Sequence, residues 1–147
     1  MNLEGLCALD LRTLKPNGLP WDFTKKQDRR LAIQLVKERK GKWLIGSPPC
    51  TPFSTWNTGV NSVRSDPEKG RRALREGRVH LRFVVGLYKR QLSEGRHFLH
   101  EHPQGAASWS EPCMVSLLMH PRVDSVVSHR CEYMLYSRTK DGQWMLS

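Results

Sequence analysis

One long helical pattern, set between two short apolar runs, constrains this fold more than any other feature of the chain. Asp66 suits an N-cap, Pro67 the first helical position and Gly95 the end of the helix. Leu74, Leu81, Val84, Val85, Tyr88 and Leu92 recur at helical spacing and define one apolar face. The run before it, KWLIG, is continuously apolar, as a buried parallel strand should be. The run after it, RHFLHEHP, reads as a strand ending in a polar cluster. Strand, long helix and strand in that order form a β-α-β crossover, so the two strands are expected to run parallel. The fold class is therefore α/β, with a mostly parallel sheet in a single domain over 1–147.

The remaining segments fit this plan. LCALDL, residues 6–11, reads as a strand ending at Asp10. KPNGLPWDF is a turn-rich loop punctuated by Asn17, Gly18 and Pro20. Thr24 and Gln27 match the T-x-x-Q capping box, so a helix is expected from Thr24. Leu31, Ala32, Leu35 and Val36 form its apolar face, and Gly41 stands where a C-terminal glycine belongs. Ser110 is expected to cap a short helix over EPCMVSLLM, and VDSVVSHRCEYML reads as one or two strands. A hairpin with Asp141 and Gly142 at its turn is expected at SRTKDGQWMLS.

Composition narrows the partners. The formal net charge is +10 over 147 residues, which points to a polyanion, and nucleic acid is the commonest one. Arg71, Arg75, Arg78 and Arg82 form a stripe beside the apolar face of the long helix; it is either a solvated face or a track for phosphates. No apolar run reaches the roughly 20 residues of a membrane helix, and no signal-peptide core stands at the N-terminus. An intracellular chain, nuclear or cytoplasmic, is expected. Its four cysteines, Cys7, Cys50, Cys113 and Cys131, make no C-x-x-C pair and are expected as reduced thiols without zinc.

The chemistry concentrates at two strand ends. Ligands of open parallel sheets bind at the carboxyl ends of the strands. KWLIG runs into GSPPCTPFSTWN, where Pro48 and Pro49 stiffen the backbone in front of Cys50. RHFLH runs into Glu101 and His102. If the strands are neighbours, Cys50 and Glu101 face one crevice. A thiol beside a carboxylic acid suits nucleophilic addition with protonation of the electron-rich partner. A buried structural cysteine in a tight turn is the competing reading. His100 and His102 share a strand face in an H-x-H pattern, as do His129 and Cys131, but no third metal ligand lies at a telling distance. Trp21, Trp56 and Trp109 lie in loops, where they either stack on bases or anchor the loops on the core.

GSPPCTPFS resembles the catalytic loop of cytosine-5 DNA methyltransferases, Gly-x-Pro-Pro-Cys-Gln-x-Phe-Ser. FLHEHP is similar to that family's later strand ending in Glu-Asn-Val, and CEYMLYSR is similar to its next block, Ala-x-Tyr-Gly leading to Gln-x-Arg. Over nearly its whole length the chain also resembles methyltransferase-like segments of retroelement polyproteins from unicellular algae. The resemblance implies a partial Rossmann-like fold of the S-adenosylmethionine-dependent type, with helices on both faces of the sheet. It implies that Cys50 attacks C6 of a flipped cytosine and that Glu101 hydrogen-bonds and protonates N3. Asp10, Ser47 and Pro48 would line the place of S-adenosylmethionine. Ser54 would shape the loop, and Arg138, with the arginine stripe, would contact the nucleic acid.

The pattern departs from the family at Thr51, His102 and Met134, where glutamine, asparagine and glycine are usual. No glycine-rich cofactor turn precedes Asp10, and no target-recognition region follows Arg138. The chain thus reads as the catalytic middle of such a fold, with a complementing chain or a larger polyprotein as an expected partner. Two function classes follow. One is a cytosine-5 methyltransferase-like domain, active or inactivated by truncation. The other is a non-catalytic, basic nucleic-acid-binding remnant of a retroelement-encoded protein.

Overall fold

A computed structural model describes Leu9 and residues 13–54, 66–128, 136–138 and 143–146. The elements run α1 (Lys26–Arg39), β1 (Trp43–Gly46), a 3-10 turn (Thr51–Phe53), α2 (Pro67–Ser93), β2 (His97–His100), a second 3-10 turn (Ala107–Ser110), α3 (Pro112–Leu118), β3 (Tyr136–Arg138) and β4 (Trp144–Leu146).

The crossover forms as its sequence requires. β1 and β2 pair in parallel, from Trp43 opposite His97 to Gly46 opposite His100, and α2 connects them. Asp66 caps α2 by accepting from the Glu68 N–H at 2.9 Å, and Pro67 opens its first turn. At the far end Gly95 takes φ of 72°, a left-handed geometry that glycine adopts without steric cost. Leu81, Val85, Tyr88 and Leu92 are buried on the inner face of α2, packed with Leu44 and Phe98 of the sheet. The Tyr88 and Phe98 rings stack at 4.4 Å. α3 closes this core with Met114 and Leu117, both 1% exposed. Each such side chain contributes about 1.5–3 kcal/mol of burial. The alternate positions of the strands, Trp43, Ile45 and Leu99, remain exposed.

Several local expectations are corrected. α1 begins at Lys26, with Lys25 as its N-cap and no side-chain cap. Thr24 instead donates its N–H and hydroxyl to Asp22, at 3.0 and 2.5 Å, so the hydroxyl that would have capped the helix is engaged before the helix begins. The left-handed residue after α1 is Lys40, with φ of 49°, and not Gly41. Ser110 closes a 3-10 turn, and α3 starts after Glu111 without a side-chain cap. Residues 123–128 carry no regular structure.

Two expected loops hold. Lys15 and Leu19 close the turn around Gly18, where φ is 76°, and a single antiparallel bridge joins Leu14 to Pro20. β3 and β4 pair antiparallel, which gives the expected hairpin. Asp141 and Gly142 lie outside the described residues, as do the expected strand end at Asp10, Trp56, His129, Cys7 and Cys131.

A buried ion pair ties the 13–22 loop to α1. The Lys15 ammonium donates to both oxygens of Asp28, at 2.9 and 2.7 Å, and Asp28 also accepts the Asp22 N–H at 2.8 Å. These donors hold the Asp28 carboxyl below the usual carboxylate range, the Lys15 hydrogen bond most of all. Trp21, 2% exposed, is a core anchor.

Candidate functional site

Parallel pairing puts the ends of β1 and β2 side by side, so the segments leaving them meet. The Glu101 N–H donates to the Gly46 carbonyl at 3.1 Å, which extends the ladder by one step. Ser47 then donates its hydroxyl to Glu101 Oε2 at 2.8 Å. One step further, His102 Nε2 meets the Pro48 carbonyl at 2.9 Å. A carbonyl only accepts, so Nε2 carries a proton, and in the neutral ring Nδ1 accepts from the Ser108 hydroxyl at 2.5 Å. The first residues after β1 are thereby fastened to the first two after β2 and to the second 3-10 turn.

Cys50 follows directly. It precedes the Thr51–Phe53 turn, and its carbonyl accepts the Phe53 N–H at 2.9 Å. Phe53, 1% exposed, plugs into the core and fixes that turn. Gly77 of α2 lies beneath it, where a Cβ would stand 2.9 Å from Pro52 Cβ and 3.2 Å from Phe53 Cε2. Gly46 is under the same pressure: a Cβ there would meet Val84 Cγ2 at 2.9 Å and run into the Tyr88 hydroxyl. Both glycines let backbone and helix approach closely enough to seat the loop. The Cys50 thiol is free and half-buried, and Glu101 is exposed, with no partner for Oε1 among the described residues.

Beneath this end of the sheet lies an aromatic cluster. His100 Nδ1 pairs with the Tyr88 hydroxyl at 3.1 Å, and its ring lies 5.1 Å from His102 and 5.3 Å from Trp109. Burial pushes His100 down to about 4, with the His102 ring adding to that direction, so it is neutral at pH 7. The same burial pushes the Tyr88 phenol well above its ordinary value. Trp109 donates its indole N–H to the Pro103 carbonyl at 2.8 Å, which makes it a loop anchor. No group of three or more metal-ligating side chains occurs among the described residues.

The arginine stripe is heterogeneous. Arg71 and Arg75 both pair with Glu68, at 2.9 and 3.2 Å, and Arg78 pairs with Glu111 at 2.8 Å. Arg82 has no carboxylate partner among the described residues and lines a separate cleft between α1 and α2. Arg138 sits on β3 opposite Trp144. Ser54 follows the 3-10 turn, and its N–H donates to the Thr51 carbonyl at 3.3 Å.

The expected cofactor residues look different in place. The Ser47 hydroxyl is used by Glu101, the Pro48 carbonyl by His102, and Asp10 is outside the described residues. The described residues do not by themselves compose a site for S-adenosylmethionine. Sequence reasoning also missed His102 as the residue that holds the loop. The clue was its place directly after Glu101 at a strand end. It missed Gly77, although a glycine inside a helix costs about 1 kcal/mol and so signals close approach.

Compared with known proteins, the chain matches no family model, no curated protein and no solved structure. Among the described residues, no helix is long and apolar enough to cross a membrane.

Proposed function

We propose that the paired strand ends carry the base-activating half of cytosine-5 methyltransferase chemistry on nucleic acid, in a partial Rossmann-like fold. The observation that supports this reading most is the Ser47–Glu101 hydrogen bond, which joins the cysteine loop to the acid across parallel strands. The order of elements, the rigid Pro48–Pro49–Cys50 approach and the resemblance of both strand ends to the family blocks agree with it.

Cys50 loses its proton to solvent and its sulfur adds to C6 of a cytosine. The C5–C6 π electrons shift through the ring, and Glu101 delivers a proton to N3, leaving an enamine with a nucleophilic C5. Ser47 holds one Glu101 oxygen and leaves Oε1 for the base edge. When S-adenosylmethionine is bound, it supplies a methyl group to C5. The described residues do not by themselves complete its site. A base inside a duplex must leave the stack to reach Cys50, which a cationic surface assists.

C5 activation is testable without any methyl donor. In heavy water the enamine takes deuterium at C5. Loss of the original proton from C5 restores the enamine, and expulsion of the Cys50 thiolate with return of the N3 proton to Glu101 then restores the cytosine. Mass spectrometry of digested single-stranded DNA should show deuterium at cytosine C5. Cys50→Ala should abolish it, and Glu101→Gln should slow it by roughly 10²–10⁴-fold. Exchange that persists undiminished in Cys50→Ala would overturn the assigned role.

A further inference from the structure

A separate cleft lies between α1 and α2, and the proposed chemistry makes no use of it. Its volume is about 400 Å³, and its walls are Lys26, Arg29, Arg30 and Ile33 from α1 and Val79, Arg82 and Phe83 from α2. Phe23 holds the two helices together from the α1 side, 5.1 Å from the Phe83 ring. Arg29 is built into the structure, donating to the Phe23 and Thr24 carbonyls at 2.6 and 2.7 Å. Lys26, Arg30 and Arg82 have no carboxylate within ion-pair distance among the described residues. That sets them apart from Arg71, Arg75 and Arg78, which share Glu68 and Glu111. Two helices thus bring cations without carboxylate partners to one cleft, which Ile33, Val79 and Phe83 line with apolar surface.

We infer that this cleft binds single-stranded nucleic acid, with phosphates on Lys26, Arg30 and Arg82 and a base against its apolar side chains. The inference rests on the nucleic-acid half of the preceding reading and moves the contact surface away from the paired arginines. Charge decides the partner class: in a chain of net charge +10, cations without internal partners are free to exchange counterions for phosphates. The apolar lining decides the form. A duplex backbone offers phosphates alone, whereas a single strand also offers base faces to an apolar or aromatic platform. Lys26 and Arg30 stand one helical turn apart, about 6 Å. That spacing suits successive phosphates of an unstacked strand.

The test is fluorescence anisotropy of the full chain with a labelled 12-nucleotide oligothymidine across a salt series. The combined variant Lys26→Gln, Arg30→Gln, Arg82→Gln should weaken binding at least tenfold. It should also flatten the dependence of log affinity on log salt by about 2, since each single-strand phosphate contact contributes about 0.7. Arg71→Gln with Arg75→Gln should leave affinity within twofold, because those side chains are already paired. Circular dichroism confirms that each variant is folded. Equal binding by the cleft variant and the wild type would overturn the inference, and so would tighter binding of a matched duplex than of the single strand. Equally strong competition by polyglutamate of the same charge would reassign the cleft to acidic polypeptides. The C5-exchange assay, run on the wild type beside the binding series, separates the two readings. Retained cleft-dependent binding without C5 exchange in the wild type defeats the catalytic reading alone, and exchange without cleft-dependent binding defeats this one alone.

Discussion

At the scale of single residues, the account turns on how the loop before Cys50 is held. Proline stiffens it, but stiffness without attachment would leave the thiol aimed nowhere in particular. Ser47 and the Pro48 carbonyl supply the attachment, through Glu101 and His102. His102→Ala should therefore act on both stability and reactivity. It leaves the Ser108 hydroxyl without a partner in a buried setting, a loss of about 1–3 kcal/mol. It also frees the loop, so C5 exchange should fall while oligothymidine affinity stays near that of the wild type. Chemical denaturation and the exchange assay read the two effects separately, and an unchanged exchange rate would show that His102 does not position the loop. Gly46→Ala makes a steric case of the same kind. Its methyl group would press on Val84 and Tyr88, and overpacking of this sort costs about 1–3 kcal/mol, read as a lower denaturant midpoint.

At the scale of elements, α2 is the organiser. Its inner face builds the core, Gly77 seats the cysteine turn, and its outer residues wall the cationic cleft. Leu81→Ala, at a position with no exposure, should cost about 2–5 kcal/mol by urea titration. A change below about 0.5 kcal/mol would contradict the packing described. This element was also the most legible in the sequence: Asp66, Pro67, the apolar spacing and Gly95 all act locally, so the pattern and the observed bounds coincide. The parallel pairing of its flanking strands followed from the crossover. The short elements were less legible because their ends depend on competition. Thr24 could cap α1 or bond Asp22, and nothing local favours the cap once Asp22 stands two residues before it. Arg71, Arg75 and Arg78 looked alike on a helical projection. Only tertiary packing brings Glu111 to Arg78 and leaves Arg82 beside α1. The pairing of Lys15 with Asp28 is equally invisible in sequence, since the two lie 13 residues apart with a turn between them.

At the scale of the whole molecule, the thiol loop and the cationic cleft meet α2 on different sides, and acid acts on the fold through the cluster between β2 and α2. His100 sits at about 4 in the folded protein, below the 6.5 of a free imidazole, because burial disfavours its charged form. The unfolded chain therefore takes up that proton first. The stabilisation linked to neutral His100 is complete above about pH 6.5 and is lost as pH falls toward 4. Thermal midpoints should drop over that window, and His100→Asn should flatten the drop relative to the wild type. An identical slope in the variant would contradict the burial assigned to this ring. Asp28 responds at lower pH: its carboxyl is held below the ordinary range by Lys15, so its contribution is present above that range and is lost in stronger acid.

Intact-protein mass spectrometry reads whether Cys50 is a nucleophile toward a pyrimidine held beside Glu101. The probe is a single-stranded oligonucleotide with 2-pyrimidinone in place of one cytosine. That ring lacks the 4-amino group, which makes C6 more electrophilic and the thiol adduct longer-lived. The account predicts a covalent complex of protein plus one oligonucleotide, mapped to Cys50 by peptide digestion, absent in Cys50→Ala and reduced in Glu101→Gln. An unmodified protein, or an adduct on Cys113 instead, would contradict it.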